Sequence, residues 1–412
     1  MADVKEKPSI LFVDDQNNIL QGFRRTLRSV EDVWTINYSS SGKEALKLME
    51  NTHVDIIISD TNMPGMRGTE LLREVQSTHA ETVRLVLSGG GSRSDDISIL
   101  LSTSHQFFSK PFDIAKLKVT IERLLALRDH ISDDRLKKMI AGISKLPCAP
   151  LVYEAFKKER EGSTDLEKMG AFIAQDPGLT AKMLQSLNST FFGVDKAGIH
   201  PYKAAQSMGP GTIAYLFDEN AHFHTIEAGH PNYAFLATMY RYSLQGAHLV
   251  EALATSENLS EPIKNISYTA GMMHEIGAII LACGLADEYS KLTPHFQNIA
   301  VQCQTEKKAL GAMCSDVGAY FLGLWGFPVA IINAVAFSPF PANDPDQSLN
   351  LTTLVHVTRA LLRADDLAGQ QANMDMVYLE KIGMTGKLQQ WHDLNKEVQA
   401  RDVIKNWAFA QA

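Results

Sequence analysis

The chain has 412 residues, of which 45% are hydrophobic and 21% are charged, a composition typical of a soluble protein with two or three domains. Its formal net charge of −8 opposes general binding to nucleic acids and to acidic membrane surfaces. The sequence does not open with an apolar run, and its longest apolar run is too short to span a bilayer. The 4 cysteines form no CxxC pair. We therefore expect a cytoplasmic protein with reduced thiols.

Residues 1 to 126 alternate between short apolar runs and segments with helical periodicity. The apolar runs are typical of strands buried on both faces, because they are rich in apolar and β-branched residues and end at polar or turn residues. Five such alternations predict a parallel sheet with helices on both faces, the doubly wound α/β architecture. The predicted strands lie at 10–13, 34–38, 56–58, 84–87 and 107–108.

Chemically distinctive side chains follow four of these strands. Asp14 and Asp15 follow the first, Asp60 the third, Ser88 the fourth and Lys110 the last. The carboxyl ends of parallel strands share one edge of the sheet, where open α/β sheets bind ligands. Three neighbouring carboxylates require a cation such as Mg²⁺, while a lysine and a hydroxyl suit the oxygens of a transferred phosphoryl group. Taken alone, Asp60 is equally consistent with a turn or a helix cap.

Residues 8 to about 126 resemble the receiver domain of bacterial two-component response regulators. The resemblance rests on the motifs Val13-Asp14-Asp15, Asp60-x-x-Met63-Pro64-Gly65, Ser88 and Lys110-Pro111. It implies that Asp60 accepts phosphate from a histidine kinase. The resemblance also implies roles for the surrounding residues: Asp15, Asp60 and the backbone carbonyl of Asn62 hold Mg²⁺, Asp14 acts through water, Ser88 and Lys110 bind phosphoryl oxygens, and Phe107 is the aromatic switch residue.

The alternative is a receiver-like domain that is never phosphorylated, although every chemical position of the motif is filled. One departure from the family pattern is Gly89-Gly90-Gly91, directly after Ser88. Three glycines make this loop unusually free. The departure puts in doubt how strongly phosphate is coupled to the switch face.

The helical pattern that begins at Ile114 extends through a charged stretch toward Ile143. It predicts a helical connector at residues 127–139, following a receiver domain at 1–126. A helix that leaves the receiver is suited to carrying movement into the next domain, and a solvated tether is an equally good interpretation. The pattern is also compatible with a homodimer formed through the receiver or the connector.

Residues 140–412 show helical patterns and no strand-like alternation, and Asp176-Pro177 predicts a helix start with an aspartate N-cap. This region resembles the HDOD domain, an all-helical relative of the HD-superfamily metal phosphohydrolases, with a core at about 140–340 and a C-terminal helical extension. The resemblance rests on Leu146-Pro147-x-x-Pro150, Asp176-Pro177-x-Leu179-Thr180, Leu187-Asn188-Ser189, Met208-Gly209, His274-Glu275-Ile276-Gly277 and Trp325-Gly326-Phe327-Pro328.

A catalytic HD site needs several His and Asp ligands that hold metal and activate water. Of the expected ligands, the resemblance leaves His274 in register, with Glu275 where the family has Asp. The remaining ligand positions are filled by Tyr242, Cys314, Phe337 and Ser338. We therefore expect no cofactor and no catalysis in this domain, with His274 as a hydrogen-bonded core residue.

The sequence as a whole predicts a signalling protein controlled by phosphorylation of Asp60. Its HDOD domain is expected to act through contacts with an unidentified protein partner, with cyclic-dinucleotide signalling enzymes as one candidate class, and without nucleic-acid or membrane partners. The alternative function is a metal-dependent phosphodiesterase that hydrolyses a cyclic dinucleotide through an atypical HD site. The phosphodiesterase requires bound metal and hydrolyses a cyclic dinucleotide, whereas the signalling protein that acts by contacts does neither.

Overall fold

The structure is a computed structural model that describes residues 7–89, 99–100, 102–162, 165–188, 200–208, 213 and 222–401. The first part of the chain forms a five-stranded sheet with the order β2-β1-β3-β4-β5, and all neighbouring strands are parallel. The strands are β1 (Ser9–Val13), β2 (Thr35–Ser39), β3 (Ile56–Asp60), β4 (Val83–Ser88) and β5 (Gln106–Ser109).

Helices cover the sheet, which confirms the predicted doubly wound α/β fold. Every residue of β1, β3 and β4 is buried, as expected for central strands with helices on both faces. The helices are α1 (Asn17–Leu27), α2 (Gly42–Met49), α3 (Gly68–Thr78) and α4 (Ile114–Asp129), with a 3-10 turn at Arg28–Val30.

The connector is two helices where the sequence pattern suggested one. Helix α4 ends at Asp129, and α5 (Asp134–Ala141) begins after a short break. Asp133 caps α5, since its side chain accepts a hydrogen bond of 2.8 Å from the Arg135 amide. The predicted limits at residues 126 and 139 fall inside α4 and α5, so the division into 1–126, 127–139 and 140–412 stays a prediction.

The second part of the chain is mostly helical, as predicted. Its helices are α6 (Pro150–Gly162), α7 (Leu166–Ile173), α8 (Pro177–Asn188), α9 (Pro201–Met208), α10 (Tyr233–Ser256), α11 (Glu261–Met273), α12 (Ile276–Gly284), α13 (Ala286–Tyr289), α14 (Ile299–Leu310), α15 (Cys314–Leu324), α16 (Val329–Phe337), α17 (Leu351–Leu362), α18 (Leu367–Gln371), α19 (Met376–Lys381) and α20 (Leu388–Gln399). Short 3-10 turns lie at Thr293–His295, Pro341–Asn343 and Thr385–Lys387.

The expectation of no strands in this part is wrong at one place. Strands β6 (Leu146–Cys148) and β7 (Phe223–Thr225) form a two-stranded parallel pair. Each strand has three residues, which is too short for an alternating pattern to be visible in the sequence.

Asp176 ties this strand pair to the helices. Helix α8 begins at Pro177, and Asp176 accepts hydrogen bonds from the amides of Leu179 at 2.9 Å and Ala149 at 2.8 Å. Burial raises the pKa of this carboxyl group to about 6. The predicted N-cap is thus confirmed, and it also fixes the chain after β6. Two other motif residues, Ser189 and Gly209, lie outside the described residues.

Helix α10 is the centre of the helical part, where it packs against α11, α17 and α20. Among the described residues, the stretch Glu261–Gly284 has the length and composition of a membrane-spanning helix, with a mean hydropathy of 1.3. The stretch comprises α11 and α12, and its most apolar window of 18 residues is 89% buried inside the protein. A core helix passes the same test of length and composition.

Candidate functional site

Lys110 joins two buried carboxylates at the carboxyl edge of the five-stranded sheet. Its Nζ lies 2.8 Å from Asp14 Oδ2 and 2.7 Å from Asp60 Oδ1. Asp14 is 0% exposed and Asp60 is 4% exposed. Burial disfavours the charged lysine, but the hydrogen bonds to both aspartates outweigh burial and raise the pKa of Lys110. The ammonium group therefore balances negative charge that is held away from water.

The second oxygen of each buried carboxylate is held by the backbone. Asp14 Oδ1 accepts a hydrogen bond of 2.8 Å from the Gln16 amide, and Asp60 Oδ2 accepts one of 2.9 Å from the Asn62 amide. Asp15 is exposed beside them. In the part of the chain that the structure describes, no three acidic, His or Cys side chains are spaced to hold a metal as they stand. The oxygens are nevertheless the hard donors that Mg²⁺ prefers.

Ser88 and Phe107 lie near the same edge, on the last two strands. Ser88 is 3% exposed and its carbonyl accepts a hydrogen bond of 2.7 Å from the Lys110 amide. Phe107 is 6% exposed and is paired with Val86 across the β4–β5 ladder. The structure thus brings all the residues predicted around Asp60 to one region, while their chemical roles stay predictions. Gly90 and Gly91 lie outside the described residues.

A second polar cluster lies in the core of the helical part, around Glu275. The Glu275 carboxylate is 2.9 Å from Arg363 and 3.5 Å from Arg359 Nε. Glu275 and Arg359 are each 1% exposed. The two arginines hold the pKa of Glu275 at about 2, although burial alone would raise it. Two fixed positive charges therefore flank the only acidic residue of the expected HD motif.

Three of the four positions predicted as altered HD ligands contact these arginines. Arg359 donates a hydrogen bond of 3.0 Å to Ser338 Oγ, and its second nitrogen is 3.9 Å from Cys314 Sγ. The Arg363 guanidinium stands over the ring of Tyr242, 5.6 Å from its centroid. The fourth position, Phe337, lines a separate cleft beside Leu127.

His274 is a buried and neutral member of this cluster. Its Nδ1 donates to the Gly271 carbonyl at 2.5 Å, which directs the unprotonated Nε2 toward Glu275 at 3.6 Å. Burial lowers the pKa of His274 to about 4, against the attraction of Glu275. The histidine is hydrogen-bonded in the core, as the sequence predicts.

Comparison with known families assigns both parts of the chain. The model of the response regulator receiver domain matches residues 10–122, and the model of the HDOD domain matches residues 146–340. The chain is a response regulator with an HDOD domain. These two matches confirm the predicted domain types.

Individual relatives match about a third of the chain. The sensor kinase CckA of Brucella abortus is 32% identical over 130 residues, 31% of this chain and 14% of the kinase. The response regulator MprA of Mycobacterium leprae is 28% identical over 151 residues, 37% of this chain. The chain covers 64% of the length of that regulator.

Two solved structures are similar to parts of the chain. One is a signal receiver domain of an HD domain-containing protein from Pseudomonas fluorescens, which is 30% identical. The match spans 30% of this chain and 94% of that domain, with a TM-score of 0.26. The other is the MmoQ response regulator from Methylococcus capsulatus, which is 18% identical. The match spans 60% of this chain and 98% of that protein, with a TM-score of 0.46.

The receiver packs on the HDOD domain through β5 and α4. Gln106 of β5 donates a hydrogen bond of 2.6 Å to the carbonyl of Gly323, at the end of α15. A Cβ atom added at Gly323 would lie 2.5 Å from Leu127 Cδ1 of α4, so any side chain there would require Leu127 to shift. Gly326 has a φ of +72°, and a Cβ atom there would be 3.4 Å from Gln106. The Trp325–Pro328 turn is therefore part of the receiver contact.

The connector is fixed to the amino end of the receiver sheet, beside Gln106 and opposite the edge that carries Asp60. Arg84 of β4 is 2% exposed and donates to the carbonyls of Thr103 at 2.6 Å and Ala141 at 3.0 Å. His105 accepts from the Arg84 amide through Nδ1 at 2.9 Å, so its Nε2 carries the proton and donates to Ala141 at 2.9 Å. Both side chains thus hold the last residue of α5, where helix carbonyls lack partners.

Sequence reasoning missed Arg359, Arg363 and the receiver contact. The available signal for the arginines was a pair of cations spaced four residues apart, one of them inside the apolar segment Leu351–Leu362. A lone charge in such a segment is costly to bury unless it is paired. The signal for the contact was the pair of glycines on either side of Leu324-Trp325.

Proposed function

We propose that Asp60 is the phosphoacceptor of this response regulator. An Asp60 oxygen forms a bond to phosphorus while the bond from phosphorus to the kinase histidine nitrogen breaks, and that nitrogen keeps the electron pair. The observation that supports this most directly is Lys110, 2.7 Å from Asp60 and 2.8 Å from Asp14. A lysine in this position stabilises negative charge that develops on transferred oxygens.

The residues around Asp60 have distinct tasks in this proposal. Asp14, Asp15, Asp60 and the Asn62 carbonyl would hold Mg²⁺, which supplies positive charge to the phosphoryl oxygens when bound. Lys110 moves from the carboxylates to a phosphoryl oxygen, and the hydroxyl of Ser88 donates to another. The backbone bonds to Asp14 and Asp60 keep both carboxylates oriented.

Labelling with a small phosphodonor tests the phosphoacceptor assignment. Native protein with Mg²⁺ and acetyl phosphate should gain one acid-labile phosphoryl group, seen by intact-mass spectrometry. Asp60→Asn should gain none, while Asp32→Asn, which changes an exposed carboxylate of the same domain, should be labelled like the native protein. Equal labelling of native and Asp60→Asn protein contradicts the proposal.

We further propose that phosphorylation alters the contact between the receiver and the HDOD domain. Phe107 is the neighbour of Gln106 on β5, and Gln106 reaches the Gly323 carbonyl at 2.6 Å. A change in the packing of Phe107 therefore displaces a strand that is bonded directly to the end of α15. Small sub-ångström shifts are amplified at such packed interfaces because they adopt discrete arrangements.

The HDOD domain acts, in this proposal, by binding a protein partner and not by hydrolysis. The Arg359 and Arg363 guanidinium groups lie within 3.5 Å of Glu275, where a catalytic relative would need metal ligands. A divalent cation placed there is repelled by both arginines in a medium of low dielectric constant. The arginines also satisfy the charge of Glu275, so this carboxylate does not attract a metal.

Metal analysis and a hydrolysis assay test this part. The purified HDOD-containing chain should hold no stoichiometric Mn²⁺, Fe²⁺ or Zn²⁺ and should leave a cyclic dinucleotide intact. Robust hydrolysis by the native protein that is lost in His274→Ala would contradict the binding proposal. It would support the phosphodiesterase alternative instead.

A further inference from the structure

A charged cleft of about 560 Å³ opens on the HDOD domain, away from the motifs discussed above. It lies between the start of α9, the C-terminal half of α10, the start of α11 and the end of α20. Clefts of this volume accommodate ligands of nucleotide size. None of the residues inferred for the receiver site or the Glu275 cluster lines it.

The cleft is positively charged. Lys203, Lys264 and Arg401 reach it from three separate segments, and Glu251 is the one carboxylate that lines it, so the described lining carries a net charge of +2. Burial raises the pKa of Glu251, while Arg401 and Lys203 act against that rise, which places the carboxylate near both cations. Lys264 also contacts the exposed Glu261 at 3.0 Å, an interaction that competes weakly because water screens it.

His200 lines one wall of the cleft and packs against aromatic rings behind it. The His200 ring lies 4.0 Å from the ring of Tyr268, and His248 meets the same tyrosine at 5.2 Å. The Tyr268 hydroxyl is held by the Ala174 carbonyl at 2.7 Å. Burial lowers the pKa of His200 and of His248 to about 4, so both rings are neutral at pH 7. The positive charge of the cleft therefore comes from the lysines and the arginine.

We propose that this cleft binds a small phosphorylated molecule of up to nucleotide size. Cations from separate elements in a concave site focus the electric field on an anionic ligand. Lys203 and Arg401 are exposed and are free to turn toward phosphate oxygens, and Asn265 and Thr255 offer neutral polar groups beside them. The ligand would connect HDOD signalling to a soluble phosphorylated compound, independently of phosphorylation at Asp60.

Isothermal titration calorimetry on the full chain tests this site, with inorganic pyrophosphate and ADP as separate probes. The titrations omit divalent cations and use the Asp60→Asn background, so that the receiver does not contribute. At least one probe should bind with a stoichiometry of one, and its dissociation constant should rise at least tenfold in Lys203→Gln/Lys264→Gln. Removing the one carboxylate of the lining in Glu251→Gln should lower the dissociation constant, which means tighter binding.

Matched variants separate a local site from a general effect of charge. Lys291→Gln/Lys308→Gln removes the same charge from positions outside the cleft, and Glu380→Gln is the counterpart of Glu251→Gln. These controls should leave the dissociation constant unchanged. No binding of either probe at millimolar concentration, or equal weakening by the cleft and control lysine pairs, overturns the proposal. Circular dichroism melting confirms that each variant is folded.

Discussion

Replacing Glu275 with Gln should destabilise the HDOD domain strongly, although the two side chains have nearly the same shape. The carboxylate is buried, with Arg363 at 2.9 Å and Arg359 Nε at 3.5 Å. The change removes the carboxylate that both cations contact in the core. Removing one partner of a buried ion pair costs about 3–5 kcal/mol in measured cases.

The pKa of Glu275 gives a second and independent value for the free energy that its ion pairs contribute to folding. It falls from 4.5 to about 2 in the folded protein. That difference, at about 1.4 kcal/mol for each pKa unit, corresponds to roughly 3 kcal/mol of folding free energy. Because the folded pKa is the lower one, this stabilisation is fully present above pH 4.5 and is lost as the pH falls toward 2.

Differential scanning calorimetry of the native chain and Glu275→Gln provides the assay. At pH 7 the HDOD transition should fall by about 6–12 °C, since about 1 kcal/mol shifts a unit of this size by roughly 2–4 °C. The difference should be constant between pH 5 and 8 and shrink below pH 4.5. Glu380→Gln, an exposed change of the same chemistry, should melt like the native protein.

A double variant checks that the effect comes from the arginines. Adding Arg359→Met to Glu275→Gln should restore part of the lost stability, because an apolar side chain replaces an unpaired buried charge. A melting temperature for Glu275→Gln within 1 °C of the native value at pH 7, or a double variant less stable than the single one, would refute the charge-balance reasoning.

Three further changes probe the domain contacts. Gly323→Val should loosen the receiver, because even a Cβ atom would lie 2.5 Å from Leu127, and small-angle scattering should show a larger radius of gyration. Arg84→Met should speed hydrogen exchange in α5, because it removes the bond to the Ala141 carbonyl, and unchanged exchange would contradict this role. The hydrogen bond to Asp55 raises the pKa of His53. This pair therefore stabilises the fold below pH 6.5 and loses that contribution as the pH rises through the folded pKa of His53. His53→Asn should lower the melting temperature more at pH 5 than at pH 8.

The receiver site could be predicted from the sequence because its chemistry stands at the ends of apolar strands. Once β1 and β3 are recognised as neighbouring parallel strands, Asp14 and Asp60 must lie at the same edge. Lys110 follows β5, which lies beyond β4 in the strand order. Its long side chain extends back along the carboxyl edge of the sheet to Asp14 and Asp60.

The features that could not be predicted depend on contacts between distant segments. Arg359 stabilises Glu275 from a position 84 residues later in the chain, and no local pattern connects them. Trp325 belongs to the core at 3% exposure, but the adjacent Gly326 meets Gln106, more than 200 residues earlier in the chain. The break after Asp129 had one local signal, Asp133, a residue type favoured at helix N-caps, and the charged helical pattern on both sides obscured it.

Hydrogen exchange with and without a phosphoryl mimic tests the central claim most directly. With beryllofluoride and Mg²⁺, exchange should change at Gln106–Ser109 and at the end of α15 around Gly323, and Asp60→Asn should show no change at either place. Identical exchange at both segments in native protein with a fully occupied receiver would contradict the claim that Asp60 controls how the receiver contacts the HDOD domain.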